Sequence, residues 1–496
     1  MKKKVKKSKV KAITKSMIGL AIVTIMVVSL LGVVVPVGTA SKGPSLDIIK
    51  DDPTIIVAAS DSTIFDKEQA DFVADGIDDQ VTIQAAIDAL PACGGKVFLM
   101  SGTFNISATI YLRSNMIIEG EGPTSIIRLK DGIITVPGKD GLLKLIHSPG
   151  TSTYSINNIH IRNFTIDGNY RGQVSGAWPV PIRLHGTNYF TVSDMYLFDA
   201  YSPLESRYSS HGIIYNNFIR DVIIGDGIGT DFSSFITITG NILENAHEGI
   251  DLDSNTTHSI VSNNILRATT RQIAGIMVTN SSYNVIINNQ IKGHPILYHT
   301  VPPFATGVWL RKRTADDINT HNIVKGNNIR HMWKGIRIHG TNALIQENII
   351  EYINRRGIDV AFVISRIPPR FVMPPQNVTI SQNQFRNIGE HGISIASGTK
   401  DITVQENQFN NVGIVAPNIF NEIHVGFLVS RLHVNNNTIN TEKPVEPANI
   451  LDVWIRRFQT IFGDFLVSTS FINSAVAVVF LGLANATFTP SSSRPG

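Results

Sequence analysis

The chain has 496 residues, a formal charge of +4 and a single cysteine, Cys93. Eight lysines and no acid lie in its first 40 residues, so taking away those eight positive charges turns +4 into −4 for residues 41–496. A mildly acidic body excludes nucleic acid as the expected partner, one cysteine excludes an intrachain disulfide and a cysteine-rich metal site, and a chain this long can bury a core without either.

In chain order, the lysine-rich start runs into an uncharged apolar stretch from Met17 to Val37 and the small residues Gly38, Thr39 and Ala40. This is the pattern of an export signal cleaved after Ala40. Residues 1–40 are read as that signal, which makes the mature chain secreted or cell-surface; left uncleaved, the segment is a membrane anchor. Residues 41–154 form an N-terminal cap and first coils. Within them Ile83, Ala86, Ile87 and Leu90 share one face of a short amphipathic helix behind an N-cap at Asp78 or Asp79. Gly94-Gly95 ends the helix and Lys96-Val-Phe-Leu-Met opens a strand, an arrangement suited to plug the apolar end of a solenoid.

Residues 155–440 repeat. Asn217, Asn241, Asn264, Asn289, Asn328, Asn348, Asn383, Asn407 and Asn437 each close a short apolar alternation, with a basic spacing in the low twenties stretched by insertions. Two units nearly copy each other, Ile182-Arg-Leu-His-Gly-Thr-Asn and Ile336-Arg-Ile-His-Gly-Thr-Asn. The alternation has period 2 and is rich in β-branched residues, which predicts stacked parallel strands around an apolar interior, with the asparagines laddering from coil to coil. Residues 441–496 are a C-terminal capping segment; its uncharged stretch from Phe465 to Phe488 holds enough Ser, Thr and Asn to favour a packed cap over a membrane span. Any membrane contact is thus confined to an uncleaved signal or this stretch.

The segment from Ala74 to Gly122, with Asp75-Gly76, Asp78-Asp79, Ile83-Gln-Ala-Ala-Ile87, Gly94-Gly-Lys-Val97, Gly102-Thr-Phe104 and Glu119-Gly-Glu-Gly122, resembles the N-terminal cap of the pectate-lyase-like superfamily. Together with the Asn and Gly-Ile coils the resemblance spans roughly residues 70–440. It implies an all-β fold, a right-handed single-stranded parallel β-helix with a short N-terminal α-helical cap. It does not choose a chemistry, because that superfamily holds lyases, glycoside hydrolases, epimerases and proteins without known activity.

Strand parity locates a candidate site. If the Ile of each Gly-Ile unit points inward, the next residue and the one two further on point outward. Aligning Ile182, Leu204, Ile228, Ile250, Ile276, Val308, Ile336 and Ile358 gives the outward pairs Arg183/His185, Glu205/Arg207, Gly229/Asp231, Asp251/Asp253, Met277/Thr279, Trp309/Arg311, Arg337/His339 and Asp359/Ala361. Carboxyls stacked about 4.8 Å apart cannot all ionise cheaply, which raises a pKa and makes a general acid. Asp231, Asp251 and Asp253 are therefore the candidate catalytic group. Glu205, Arg207, Trp309, Arg311, Arg337 and His339 are candidates for substrate binding, Trp309 through a flat ring face. The insertions around His294–Ala305 and Phe362–Pro375 are candidate groove walls.

The expected ligand is a polysaccharide. By resemblance to polygalacturonases, Asp231 stands where that family has an acid one coil before its paired acids, and Asp251 or Asp253 stands near the pair. Here a leucine separates the two, the next coil reads Ile273-Ala-Gly-Ile-Met without His-Gly, and Arg337-Ile-His replaces Arg-Ile-Lys. Three classes stay open: a glycoside hydrolase needing no cofactor, a lyase or uronate epimerase assisted by calcium on Asp251 and Asp253, and a non-catalytic glycan binder. A solvated, salt-bridged acidic face is the bland alternative. His247-Glu248 reads as a turn pair.

Overall fold

The computed structural model describes residues 53–440, except 134–141, 154, 175–176, 268–273, 295–304, 315, 364–373 and 417–419. The expected export signal, the C-terminal apolar stretch and most of both candidate groove walls lie outside the described residues.

The residues aligned by parity pair directly in parallel register, Ile182 with Leu204, then Ile228, Ile250, Ile276, Val308, Ile336 and Ile358. All eight are at most 1% exposed. The strands form hydrogen-bonded networks of 15 and 23 members. The larger contains two rows, which merge because Phe218–Asp231 and Ile242–Asp253 each run unbroken through the corner between them. Three strand rows thus wrap one continuous apolar core.

A column of buried asparagines closes one corner. The side chain of Asn264 donates to Asn289 Oδ1 at 3.0 Å, Asn289 to Asn327 at 2.9 Å, and Asn327 to Asn348 at 3.0 Å. The rung is Asn327 and not Asn328, which instead opens the strand Asn328–Met332. The reason is backbone conformation: the residue before each rung lies in the left-handed region, as at Asn263, Asn288 and Glu347, and Gly326 (φ +65°) supplies that geometry before Asn327.

At the N-terminal end, helix Gln80–Ala89 buries Ile83, Ala86 and Ile87 against the first coil. Asp79 precedes it but does not cap it with its side chain. Its carboxylate accepts instead from the backbone of Gly76 (2.8 Å) and Asn105 (2.7 Å), tying the helix to the strands. The helix stops before Leu90-Pro91, because a residue preceding proline is driven out of helical backbone, and Gly95 already belongs to strand Gly95–Leu99. A further helix, Ile64–Gln69, is nucleated by a Thr63/Asp66 capping box.

Candidate functional site

The row that contains Trp178–His185 carries the predicted face, and its outward columns are in register. Arg207, Asp231 and Asp253 stack on successive coils, as do Asp251, Met277, Trp309 and Arg337. Parity is therefore as expected, but exposure is not: Asp251 is only 3% exposed, Asp359 1% and His339 6%. The face is a floor beneath neighbouring side chains, not a solvated surface.

The carboxyl group that the fold assembles differs from the predicted one. Asp226, Glu248 and Asp251 bring ligand atoms within 4.8 Å of one another. Asp226 and Glu248 pair in adjacent coils two residues before the inward Ile228 and Ile250. Parity alone would turn them into the core. The register shift between Val222 and Asp226 marks the corner where the chain bends, and there both face outward beside Asp251. Burial first, and then the Asp251 and Glu248 carboxyls, push Asp226 well above the ordinary carboxylate range. Burial, Asp253 and Glu248 do the same to Asp251, against the opposing charge of Arg313 and a Thr279 hydroxyl donating at 3.2 Å. Asp226 and Asp251 are thus both biased toward their protonated forms.

The other predicted residues take distinct places. Asp253 is held in an ion pair by Arg313, which withdraws it from the calcium pair expected with Asp251. Asp231, its neighbour, is raised by burial and by Asp253. Glu205 is raised by burial while Arg183, bonded to it at 2.6 Å, opposes the rise. Arg207 lies over the rings of Tyr208 and Phe232, 5.2 and 5.5 Å from their centroids. Trp309 does not present an open face: the guanidiniums of Arg311 and Arg337 sit 5.0 and 5.2 Å from its ring centroid, and His339 meets it edge-on at 5.6 Å. Burial and Arg337 keep His339 neutral. Arg337 also reaches Asp359 at 3.6 Å, which takes Lys334 and Arg356 at 2.8 Å each. Burial opposes ionisation there, yet these three cations hold Asp359 well below its usual range. The face therefore changes sign, acidic from Glu205 to Asp253 and basic from Arg311 to Arg356.

Several polar atoms on this face are buried without a hydrogen-bond partner: Asp226 Oδ1, His247 Nδ1, Arg207 Nε and Trp309 Nε1. Buried polar groups are normally satisfied, so each of these four atoms is free to take a polar partner from a ligand or from water. His247 and Glu248 are not a turn; both lie within Ile242–Asp253. The signal available in sequence was an acid directly before Gly-Ile in two consecutive coils, Asp226 and Glu248.

Residues 151–354 match the model of the periplasmic copper-binding protein (NosD) family. Over 108 residues the chain is 36% identical to mannuronan C5-epimerase AlgE6 of Azotobacter vinelandii, a match that spans 20% of this chain and 11% of that protein. Among solved structures, alginate lyase AlyF-OU02 in complex with G6 superposes with a TM-score of 0.53 at 14% identity, covering 80% of this chain and 88% of that one. A DFA-IIIase variant of Arthrobacter chlorophenolicus A6 in complex with DFA-III gives 0.50 at 13%, covering 79% and 99%. The chain is a right-handed parallel β-helix repeat protein. The expected resemblance to the pectate-lyase-like superfamily therefore holds at the level of fold. Copper does not fit this β-helix's carboxyl cluster, because copper sites draw on imidazole or sulfur ligands and these three donors are carboxylates, suited to a hard cation. Cys93, on the N-terminal cap, is exposed.

Proposed function

We propose that this β-helix is a secreted or cell-surface carbohydrate-active protein that binds a polysaccharide along the Trp178–His185 row and cleaves it by acid–base hydrolysis. The observation that carries the reading is the convergence of Asp226, Glu248 and Asp251, in which Asp226 and Asp251 are both pushed well above the ordinary carboxylate range. A shared proton there can pass to a glycosidic oxygen at neutral pH, as hydrolysis of a glycoside requires. Asp231 and Asp253, on the same strands, supply the candidate base for water, with Arg313 paired to Asp253. The unpartnered Asp226 Oδ1, Arg207 Nε and Trp309 Nε1 suit a ligand rich in hydroxyls. The arginines at 311 and 337 add donors for hydroxyl or acidic groups.

A second reading has an observation of its own. Three carboxylate oxygens this close can hold calcium, and the locally similar protein is an epimerase of mannuronan. In that case Asp226 and Glu248 join Asp251 as ligands, and the reaction is lyase-like or epimerising.

The test is kinetics on a polysaccharide panel, followed by both reducing ends and ultraviolet absorbance. Hydrolysis gives reducing ends without an unsaturated chromophore, whereas a lyase gives both. Asp226→Asn, Glu248→Gln and Asp251→Asn are expected to lose roughly 10²–10⁴ in turnover, and Trp309→Ala to weaken binding chiefly. Wild-type turnover in all three carboxyl variants would reduce the cluster to a structural feature and the protein to a binder.

A further inference from the structure

On the N-terminal side of the carboxyl cluster is an aromatic pair that the catalytic reading does not use. Trp178 stacks on Tyr201, with centroids 5.4 Å apart and planes at 22°, and Trp178 remains 38% exposed. Tyr201 immediately adjoins the cluster: its carbonyl accepts from Gly225 at 3.0 Å, and the Ser202 hydroxyl donates to the Asp226 carbonyl at 3.0 Å. A β-carbon at Gly225 would meet the Tyr201 carbonyl oxygen at 2.8 Å and Tyr201 Cε1 at 3.2 Å, so Tyr201 packs closely against that glycine. In the next coil His247 precedes Glu248, opposite the shifted stretch between Val222 and Asp226. His247 Nδ1 and Asp226 Oδ1, on the strands that follow Tyr201, are both buried without partners.

We infer that the Trp178–Tyr201 platform is a sugar subsite on the opposite side of the carboxyl cluster from Trp309, so that the glycan crosses the cluster and is taken by internal segments, not by its ends. An exposed aromatic face close to polar groups suits a pyranose or furanose unit, apolar on its C–H face and ringed by hydroxyls. Tyr201 lies one coil before Asp226 and Trp309 two coils after Asp251. At about 4.8 Å per coil the platform and Trp309 are roughly 20 Å apart, the reach of a short oligosaccharide with the cluster in its middle. Burial, and then the charges of Glu205, Asp226 and Glu248, push the Tyr201 hydroxyl up, so it stays a neutral donor beside the acids.

This inference rests on the glycan reading above, and the experiment separates the two. Full-length protein is run by affinity electrophoresis through gels holding alginate, polygalacturonate, inulin or a β-1,4-glucan, with thermal melting as the folding control. For the polymer that retards the wild type, Trp178→Ala is expected to weaken apparent affinity roughly three- to tenfold, Trp178→Tyr to restore most of it, and early digestion products to be long oligosaccharides. Retardation unchanged in Trp178→Ala but weakened in Trp309→Ala would overturn the subsite and leave the catalytic reading standing. Release of only mono- or disaccharides from the outset would overturn the internal mode of attack. A wild type retarded by none of the polymers would overturn the subsite and the glycan reading together.

Discussion

Asp226 and Asp251 hold their protons in the folded chain at pH values where the unfolded chain has released them. A carboxyl raised in this way contributes most below its unfolded pKa, near 3.8, and stability falls as pH rises from there to the folded pKa. Asp359 works in the opposite sense. Lys334, Arg356 and Arg337 depress it, so its contribution is present above the unfolded pKa and is lost as pH falls through the depressed one. The prediction at this scale concerns Asp226→Asn, which keeps the shape and removes the charge. It should melt a few degrees above the wild type at pH 7–8, and the two curves should converge near pH 3, where the aspartate is neutral as well. Melting curves across pH check this; a variant less stable than the wild type at pH 8 would mean that the cluster is held by an ionised Asp226. A residue that supports chemistry by being hard to ionise thereby costs the fold stability.

Each asparagine rung does more than fill its corner. Asn289, 1% exposed, donates to the carbonyls of Val261 (2.9 Å) and Ile287 (3.1 Å) and to Asn327 Oδ1, while its own oxygen accepts from the backbone and side chain of Asn264. Asn289→Ala strands donors and acceptors on two neighbouring coils and should cost about 2–4 kcal/mol. Asn437, the last rung described, receives bonds from Asn407 but donates to Val404 alone. Asn437→Ala should therefore cost less than half as much in the same denaturation series; equal losses would show that the rungs act independently of their place in the column. A second column was not visible in the sequence: Tyr189, His211, Phe235, His258, Tyr283 and His321 stack with centroids 4.8–5.3 Å apart. All six have left-handed backbone at one corner. No alternation or motif marks them, because their meeting depends on coil register alone. Their faces are taken up by one another, which is why the open platform is Trp178 and not this stack.

At the scale of the molecule, a solenoid is stabilised between neighbouring coils, and its ends would expose apolar core unless capped. Helix Gln80–Ala89 supplies that cap through Ile83 and Ile87, both fully buried. Ile83→Asp places a charge where nothing compensates it. It should raise hydrogen exchange in the first coils well before those around Asp251 and promote self-association through the opened end, read by exchange mass spectrometry and size-exclusion chromatography. Uniform loss of protection along the chain would instead show that the coils unfold as one unit.

The periodicity determined the fold. Alternating apolar residues with Gly-Ile openings specify inward and outward positions independently of any distant contact, so the row from Ile182 to Ile358 could be aligned residue by residue. The acidic character of the face, and the stacking of Asp231 on Asp253, followed from the same parity. Tertiary structure decided the rest, for reasons that period 2 cannot encode. A bend at the corner turned Asp226 and Glu248 outward against parity. Arg313, from beyond the Trp309 strand, took Asp253 as its partner. Arg311 and Arg337 packed on Trp309, and coil stacking set Trp178 on Tyr201. Which carboxyls share a proton depends on where a backbone turns and what covers it, and those are properties of the stacked coils, not of any one repeat.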